Sequence, residues 1–176
     1  QILNLFMEGK IMHLHKYEKW WLAFSIGSLV AFLVILGIGA FHYGSHPNNS
    51  KITIDPERVE DYEAFKNGGG VFKVEGKDWD YEVVVIASAF SYNPMEIEVP
   101  LGSTVKFIAT TKDVIHGFQI AGTNINLMLE PGYVSEYVTE VNQAGEFLIV
   151  CNEYCGIGHA AMYSMLKVVD ENAASH

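Results

Sequence analysis

Apolar and polar residues follow different patterns in two parts of this chain. Residues Trp20–Phe41 form a block of 22 positions without a charged side chain. As a helix rising about 1.5 Å per residue, this block extends about 33 Å, enough to cross a hydrocarbon core of about 30 Å. Aromatic residues flank both ends, as they do at membrane interfaces. The pattern predicts one transmembrane helix at residues 20–43.

A cleaved signal peptide and a buried core helix are the alternatives for this block. A signal peptide has a shorter apolar region of about 7–15 residues, although Gly37, Gly39 and Ala40 supply the small residues typical of a cleavage site. A core helix that is apolar on every face is unusual in so small a protein. Both alternatives fit less well than a membrane span.

Further along the chain the pattern changes to a period of two. Six segments with this period predict strands at residues 81–87, 95–99, 104–109, 134–141, 146–150 and 163–169. Proline, glycine and asparagine between them indicate turns. Many short strands predict an antiparallel sandwich or barrel, and the lack of crossover helices disfavours a parallel sheet.

The remaining segments complete the predicted organisation. Residues 1–19 carry an apolar stripe at near-helical spacing and predict an amphipathic segment. Residues 44–70 are predicted as a linker with a short helix, because Asp55-Pro56 is a helix-start signal. Residues 71–170 form the β domain, and 171–176 form a tail that we expect to be disordered.

Charge is distributed unevenly between the two parts. Residues 1–46 hold three lysines and two glutamates, whereas the remainder holds 8 basic and 19 acidic residues. Lysines before the span favour a cytoplasmic N-terminus, which places the β domain on the outer, periplasmic side of the cytoplasmic membrane. The acidic balance argues against a nucleic-acid partner and suits a cationic one.

Four side chains with metal-binding chemistry lie close together near the C-terminus, in CNEYCGIGHAAM. They are Cys151, Cys155, His159 and Met162. Thiolates and imidazole together select copper, zinc or iron–sulfur clusters, and a thioether is typical of copper electron-transfer sites. The glycines at 156 and 158 allow the loop to fold tightly.

The second cysteine bears on the number of metal ions. A mononuclear copper site needs two histidines, one cysteine and one weak ligand, whereas two thiolates can bridge two coppers. His116, 35 residues before Cys151, is the candidate second histidine. A Cys151–Cys155 disulfide, a zinc site and a thiol-type copper chaperone of the Sco class remain alternatives.

The motif CNEYCGIGHAAM, with DVIHGF upstream, resembles subunit II of the haem–copper terminal oxidases (cytochrome c oxidase). The resemblance extends through ASAFSYNPMEIEVPLGSTV and DVIHGFQIAGTNINLMLEPG. One transmembrane helix, and no tryptophan in residues 87–92, resemble the B-type branch. The implied fold is all-β, a cupredoxin-like Greek-key β-barrel or sandwich anchored by one N-terminal transmembrane helix.

The resemblance also implies a binuclear copper centre of the CuA type. Its ligands fall on His116, Cys151, the backbone carbonyl of Glu153, Cys155, His159 and Met162. Phe90 takes the place of the family's electron-entry tryptophan. The Glu153 side chain is a candidate magnesium donor at the interface with subunit I.

The implied function is that of the electron-entry subunit of a respiratory oxidase in the membrane. Cytochrome c delivers electrons to the copper centre, which passes them to haem in subunit I. Oxygen is reduced to water there, with coupled proton translocation. The chain then belongs to an enzyme only as part of the complex and contributes no catalytic residue. The alternative function is a membrane-anchored, Sco-like copper chaperone.

Overall fold

A single long helix, α1, spans Lys16–His42, 27 residues. The computed structural model of the chain describes residues 15–42 and 52–170. None of the α1 side chains is buried, and an 18-residue window reaches a mean hydropathy of 2.4. Within the described residues it is the one helix long and apolar enough to cross a membrane. Of the predicted amphipathic segment, residues 1–19, the first 14 lie outside the described residues, as does the predicted tail, and α1 begins within that segment at Lys16.

The β domain contains ten strands. Their bounds are β1 Gly70–Lys73, β2 Tyr81–Ser88, β3 Ser91–Asn93, β4 Glu96–Pro100, β5 Thr104–Thr111, β6 His116–Ile120, β7 Asn126–Leu129, β8 Ser135–Glu140, β9 Gly145–Val150 and β10 Tyr163–Val169. All six predicted segments are strands in part or throughout. Four short strands were not predicted, namely β1, β3, β6 and β7.

The strands form two five-stranded sheets. The first has the order β1-β2-β5-β8, with β3 paired to β2, and the second has the order β4-β10-β9-β6-β7. Two pairs, β2–β5 and β4–β10, are parallel, contrary to the antiparallel prediction. The reason is that β3 belongs to the first sheet and β4 to the second. The chain therefore crosses between sheets and returns to place β5 beside β2 in the same direction.

The main core lies between the two sheets. On β4, for example, Ile97 and Val99 are fully buried while Glu96 and Glu98 face solvent. The same alternation buries one face of most strands, and burying each such large apolar side chain contributes about 1.5–3 kcal/mol. This core reaches Cys151, Cys155 and Met162, so these candidate ligands pack against the buried face of the sheets.

A second apolar cluster covers the outer face of the first sheet. Strand β2 is buried on both faces from Val83 to Ala87. Its outward residues pack with Ile108 and Val134 against Val59 and Phe65, which are 0% exposed. Residues 52–70, which the sequence analysis assigns to a linker, are therefore a packed part of the domain from Ile52 onward.

The expected short helix in this segment is interrupted. It consists of two 3₁₀ helices, Pro56–Asp61 and Glu63–Phe65, because Arg58 has non-helical angles and Tyr62 is extended. The first is capped as predicted, since the Asp55 carboxylate accepts a hydrogen bond from the Glu57 N–H at 3.1 Å.

Candidate metal centre

All six sequence-predicted metal ligands lie at one end of the sandwich. His116 is the first residue of β6, Cys151 directly follows β9, and Met162 directly precedes β10. Strand β9 pairs with both β6 and β10. This pairing brings His116 to the loop of residues 151–162, hereafter the ligand loop, across a separation of 35 residues. His159 lies within the loop, in the 3₁₀ helix His159–Ala161.

Two cysteine sulfurs occupy the centre of the site. The Sγ atoms of Cys151 and Cys155 are 3.7 Å apart, and both side chains are buried. A disulfide bond is about 2.05 Å long, so the two thiols are not bonded to each other. The structure therefore contradicts the disulfide alternative.

Each sulfur faces one imidazole nitrogen and one weaker donor. The Cys151 sulfur lies 3.9 Å from His116 Nδ1 and 3.1 Å from the backbone carbonyl of Glu153. The Cys155 sulfur lies 3.7 Å from His159 Nδ1 and 3.8 Å from the Met162 sulfur. The six donors thus form two matching halves, each with one thiol, one imidazole and one weaker donor.

This donor set fits copper better than zinc. The ligand atoms of His116, Cys151 and Cys155 lie within 4.8 Å of one another, and all three residues are buried. Structural zinc takes four cysteine, histidine or carboxylate ligands, so a buried thioether beside Cys155 has no role in a zinc site. Sulfur donors with imidazole and a weak methionine are typical of copper electron-transfer sites.

Asp113 holds the His116 ring in position. Its carboxylate accepts a hydrogen bond from His116 Nε2 at 2.8 Å, which leaves Nδ1 directed at Cys151. The carboxylate also accepts from the N–H groups of Val114 and Ala89. Partial burial alone would raise the pKa of Asp113, but these hydrogen bonds outweigh it and lower the pKa. The carboxylate therefore stays ionised beside His116.

The Cys155 thiol holds its proton strongly without a metal. Burial raises its pKa to about 11, and the hydrogen bond and charge of Cys151 add to the increase. Metal coordination requires the thiolate, so binding must release this proton. Affinity for a metal ion therefore weakens as the pH falls.

Like Asp113, Tyr92 and Gly117 support the site and were not assigned a role from the sequence. The Tyr92 hydroxyl donates a hydrogen bond to the Gly117 carbonyl. The Tyr92 ring packs edge to face against the Phe118 ring, with 5.6 Å between the ring centroids. A Cβ at Gly117 would overlap Asn152 of the ligand loop. The signal was present in the sequence, because glycine directly after a candidate ligand indicates a close backbone approach.

Phe90 and Glu153, the other predicted site residues, lie at the rim. Phe90 is half-buried in the two-residue turn between β2 and β3, with its ring against Gly156 and Gly158 of the ligand loop. The Glu153 carboxylate is exposed and, with Glu130, lines a cleft of about 570 Å³ beside the site.

Comparison with known proteins identifies the family. Residues 90–169 match the family model described as cytochrome c oxidase subunit II, periplasmic domain. Cytochrome c oxidase subunit 2 of Thermus thermophilus is 38% identical over 154 residues, which cover 86% of this chain and 91% of the relative. The chain belongs to the cytochrome c oxidase subunit II family. The predicted resemblance is thereby confirmed.

Two more distant matches differ in how much of the matched protein they cover. A probable cytochrome c oxidase subunit 2 of Streptomyces avermitilis is 30% identical over 128 residues, 72% of this chain but 37% of that protein. A chain in a cryo-EM structure of a heme-copper terminal oxidase dimer is 28% identical, with a TM-score of 0.72. The match covers 88% of this chain and 100% of the chain in the cryo-EM structure.

The fold comparison agrees with the cupredoxin-like prediction. The periplasmic domain of cytochrome oxidase subunit II from Bradyrhizobium japonicum has a TM-score of 0.50 and 20% identity, covering 56% of this chain and 91% of that domain. The mostly β domain with one N-terminal apolar helix thus confirms the expected fold class.

Proposed function

We propose that this subunit II is the electron-entry subunit of a respiratory oxidase, accepting electrons from cytochrome c and passing them to haem in subunit I. Reduction of oxygen to water and the coupled proton translocation then occur elsewhere in the complex. The observation that carries the proposal is the paired arrangement of donors around Cys151 and Cys155.

The donor geometry supports a binuclear copper centre. Two copper ions would be held by the Cys151 and Cys155 thiolates together with four further donors, namely His116, the Glu153 carbonyl, His159 and Met162. When bound, the pair supplies a one-electron acceptor whose charge is shared over both metals and both sulfurs. Two thiolates with four further donors suit two ions better than one, since a single copper would leave one cysteine without a role.

The surrounding residues hold these donors in place without a metal. Asp113 orients His116, and the three sulfur side chains pack into the main core, so little would need to move when the charge of the centre changes. The half-buried ring of Phe90 over the ligand loop is the proposed place of electron entry. Tyr154 and Ile157, which are 76% and 97% exposed, offer a partly apolar contact face nearby.

Membrane placement follows from α1 and the charges. We propose a single pass through the cytoplasmic membrane, with the lysine-bearing N-terminal end in the cytoplasm and the β domain outside. Magnesium at the Glu153 carboxylate remains an expectation of the resemblance. In the described part of the chain no other feature points to that ion.

A Sco-like chaperone is the weaker alternative. Such a chaperone has a thioredoxin-like fold, whereas this domain is built from two β-sheets with its thiols near the C-terminus. A chaperone also has no need for six donors arranged in two matching halves.

Electron paramagnetic resonance of the copper-loaded full chain in detergent tests the proposal. We expect two coppers per chain and a seven-line hyperfine pattern from one electron shared by both. A four-line pattern with one copper per chain would contradict it. Cys151→Ser should abolish the seven-line pattern, and unchanged copper content and spectrum in that variant would refute the bridging role.

A further inference from the structure

Phe90 has a backbone conformation that side chains rarely adopt. Its φ is +80°, and it is the one non-glycine residue with a positive φ in residues 15–42 and 52–170. It occupies the two-residue turn between β2 and β3, where glycine or asparagine normally provides such an angle. Because a bulky residue is strained at such an angle, a compensating contact is expected.

That contact is with the ligand loop. Ring atoms of Phe90 lie 3.2 Å from where a Cβ would stand at Gly156, and a Cβ at Gly158 would overlap the ring itself. Gly156 has a φ of +130°, so its backbone alone favours glycine. Gly158 has φ −92° and ψ 5°, a negative-φ conformation that residues with a side chain also adopt in turns. The Phe90 ring is therefore the first obstacle to a side chain at position 158.

The turn that carries Phe90 is also tied to the other half of the site. The N–H of the preceding residue, Ala89, donates a hydrogen bond to the Asp113 carboxylate. The same carboxylate orients His116. The turn thus contacts Asp113, which orients His116, and also the loop segment between Cys155 and His159.

We infer that Phe90 is a positioning residue for the ligand loop, whose ring sets the path of residues 156–158 and thereby the separation of Cys155 from His159. This inference extends the proposed function, and its copper-release measurements rest on that function. It is distinct from electron entry, because the ring acts on loop geometry even without a metal. A loop ordered in advance loses less conformational freedom when it binds an ion.

A double-mutant cycle in the full chain in detergent tests this role. Phe90→Ala removes the ring, Gly158→Ala places a methyl group where the ring lies, and the double variant removes that clash. Disordering one backbone residue shifts the equilibrium between the closed and the open loop by about tenfold. Because copper leaves from the open loop, we expect each single variant to release copper to a chelator about tenfold faster. The double variant should release copper no faster than Phe90→Ala alone.

Two results would overturn the inference. One is an unchanged release rate in Phe90→Ala. The other is an additive effect in the double variant, since independent effects mean that the ring does not act at Gly158. Phe90→Leu, which keeps an apolar side chain, serves if Phe90→Ala fails to fold, and we expect its release rate to lie between those of the wild type and Gly158→Ala. A rate equal to that of the wild type would contradict the need for the ring.

Hydrogen exchange on the metal-free chain separates this inference from the copper proposal. In Phe90→Ala we expect faster exchange at the amides of residues 156–159 and no change in the core strand β5. Equal acceleration in β5 would show that the ring contributes general stability only, and would overturn the positioning role. A wild-type chain without the seven-line spectrum would instead contradict the copper proposal while leaving this measurement intact.

Discussion

Replacing Phe65 by alanine tests whether residues 52–70 are a structural part of the β domain. The Phe65 side chain is fully buried in the second apolar cluster, against residues of β2, β5 and Val134. Truncating a buried phenylalanine costs about 3–5 kcal/mol through lost burial and the cavity left behind. Domains of this kind have a total unfolding free energy of about 5–15 kcal/mol, so the loss is a large fraction of it.

Urea unfolding of the full chain in detergent, followed by its β-sheet circular dichroism, measures this loss. With a slope of about 2 kcal/mol per molar urea, a loss of about 4 kcal/mol lowers the unfolding midpoint by about 2 M. Lys66→Ala is the matched control, because Lys66 is the exposed neighbour and its truncation should change stability by less than about 0.5 kcal/mol.

A small effect in Phe65→Ala would refute the reasoning. If the free energy of unfolding fell by less than about 1 kcal/mol, the segment could not be packed as described. The copper spectrum serves as a second check. The second cluster lies on the outer face of the first sheet, so the folded variant should keep the wild-type spectrum.

Three further predictions concern the site and the surface. Gly117→Ala should lower copper content and stability together, because its methyl group overlaps Asn152, and metal analysis with thermal unfolding would detect both. Met162→Leu should retain copper but change its reduction potential in voltammetry, since the thioether is a weak ligand; an unchanged potential would argue against ligation. Partial burial favours a raised pKa for Glu82, but hydrogen bonds from Lys77 and Trp79 outweigh it and lower the pKa. The stability that Glu82 adds is therefore present above its ordinary pKa and is lost as the pH falls through the lowered value. Glu82→Gln should cost less than about 1 kcal/mol at neutral pH and nothing in strong acid, and a constant difference in urea unfolding across pH would contradict this.

The ligand loop was predictable because its chemistry is local. Cys151, Cys155, His159 and Met162 lie within 12 residues, and no tertiary information is needed to group them. His116 was predictable as a donor, but the strand that it begins was not. The residues that follow it form strand β6, which Gly117 and the preceding turn made hard to recognise as a strand.

The second apolar cluster was not predictable from the segment that forms it. Val59 and Phe65 stand among acidic residues with neither a strand nor a helix period. They become buried only because β2 offers a second apolar face. The signal lay instead in β2, where the unbroken run Val83–Ala87 is typical of a strand covered on both faces.

The β9–β10 hairpin has a consequence for how a metal ion reaches the folded protein. Val150 pairs with Tyr163, and the Cys151 N–H donates to the Met162 carbonyl at 3.3 Å, so both ends of the ligand loop are held together. A loop closed at its base can open locally while the sheets stay intact. We therefore expect ion insertion and exchange to proceed at the rate of loop opening, orders of magnitude faster than global unfolding.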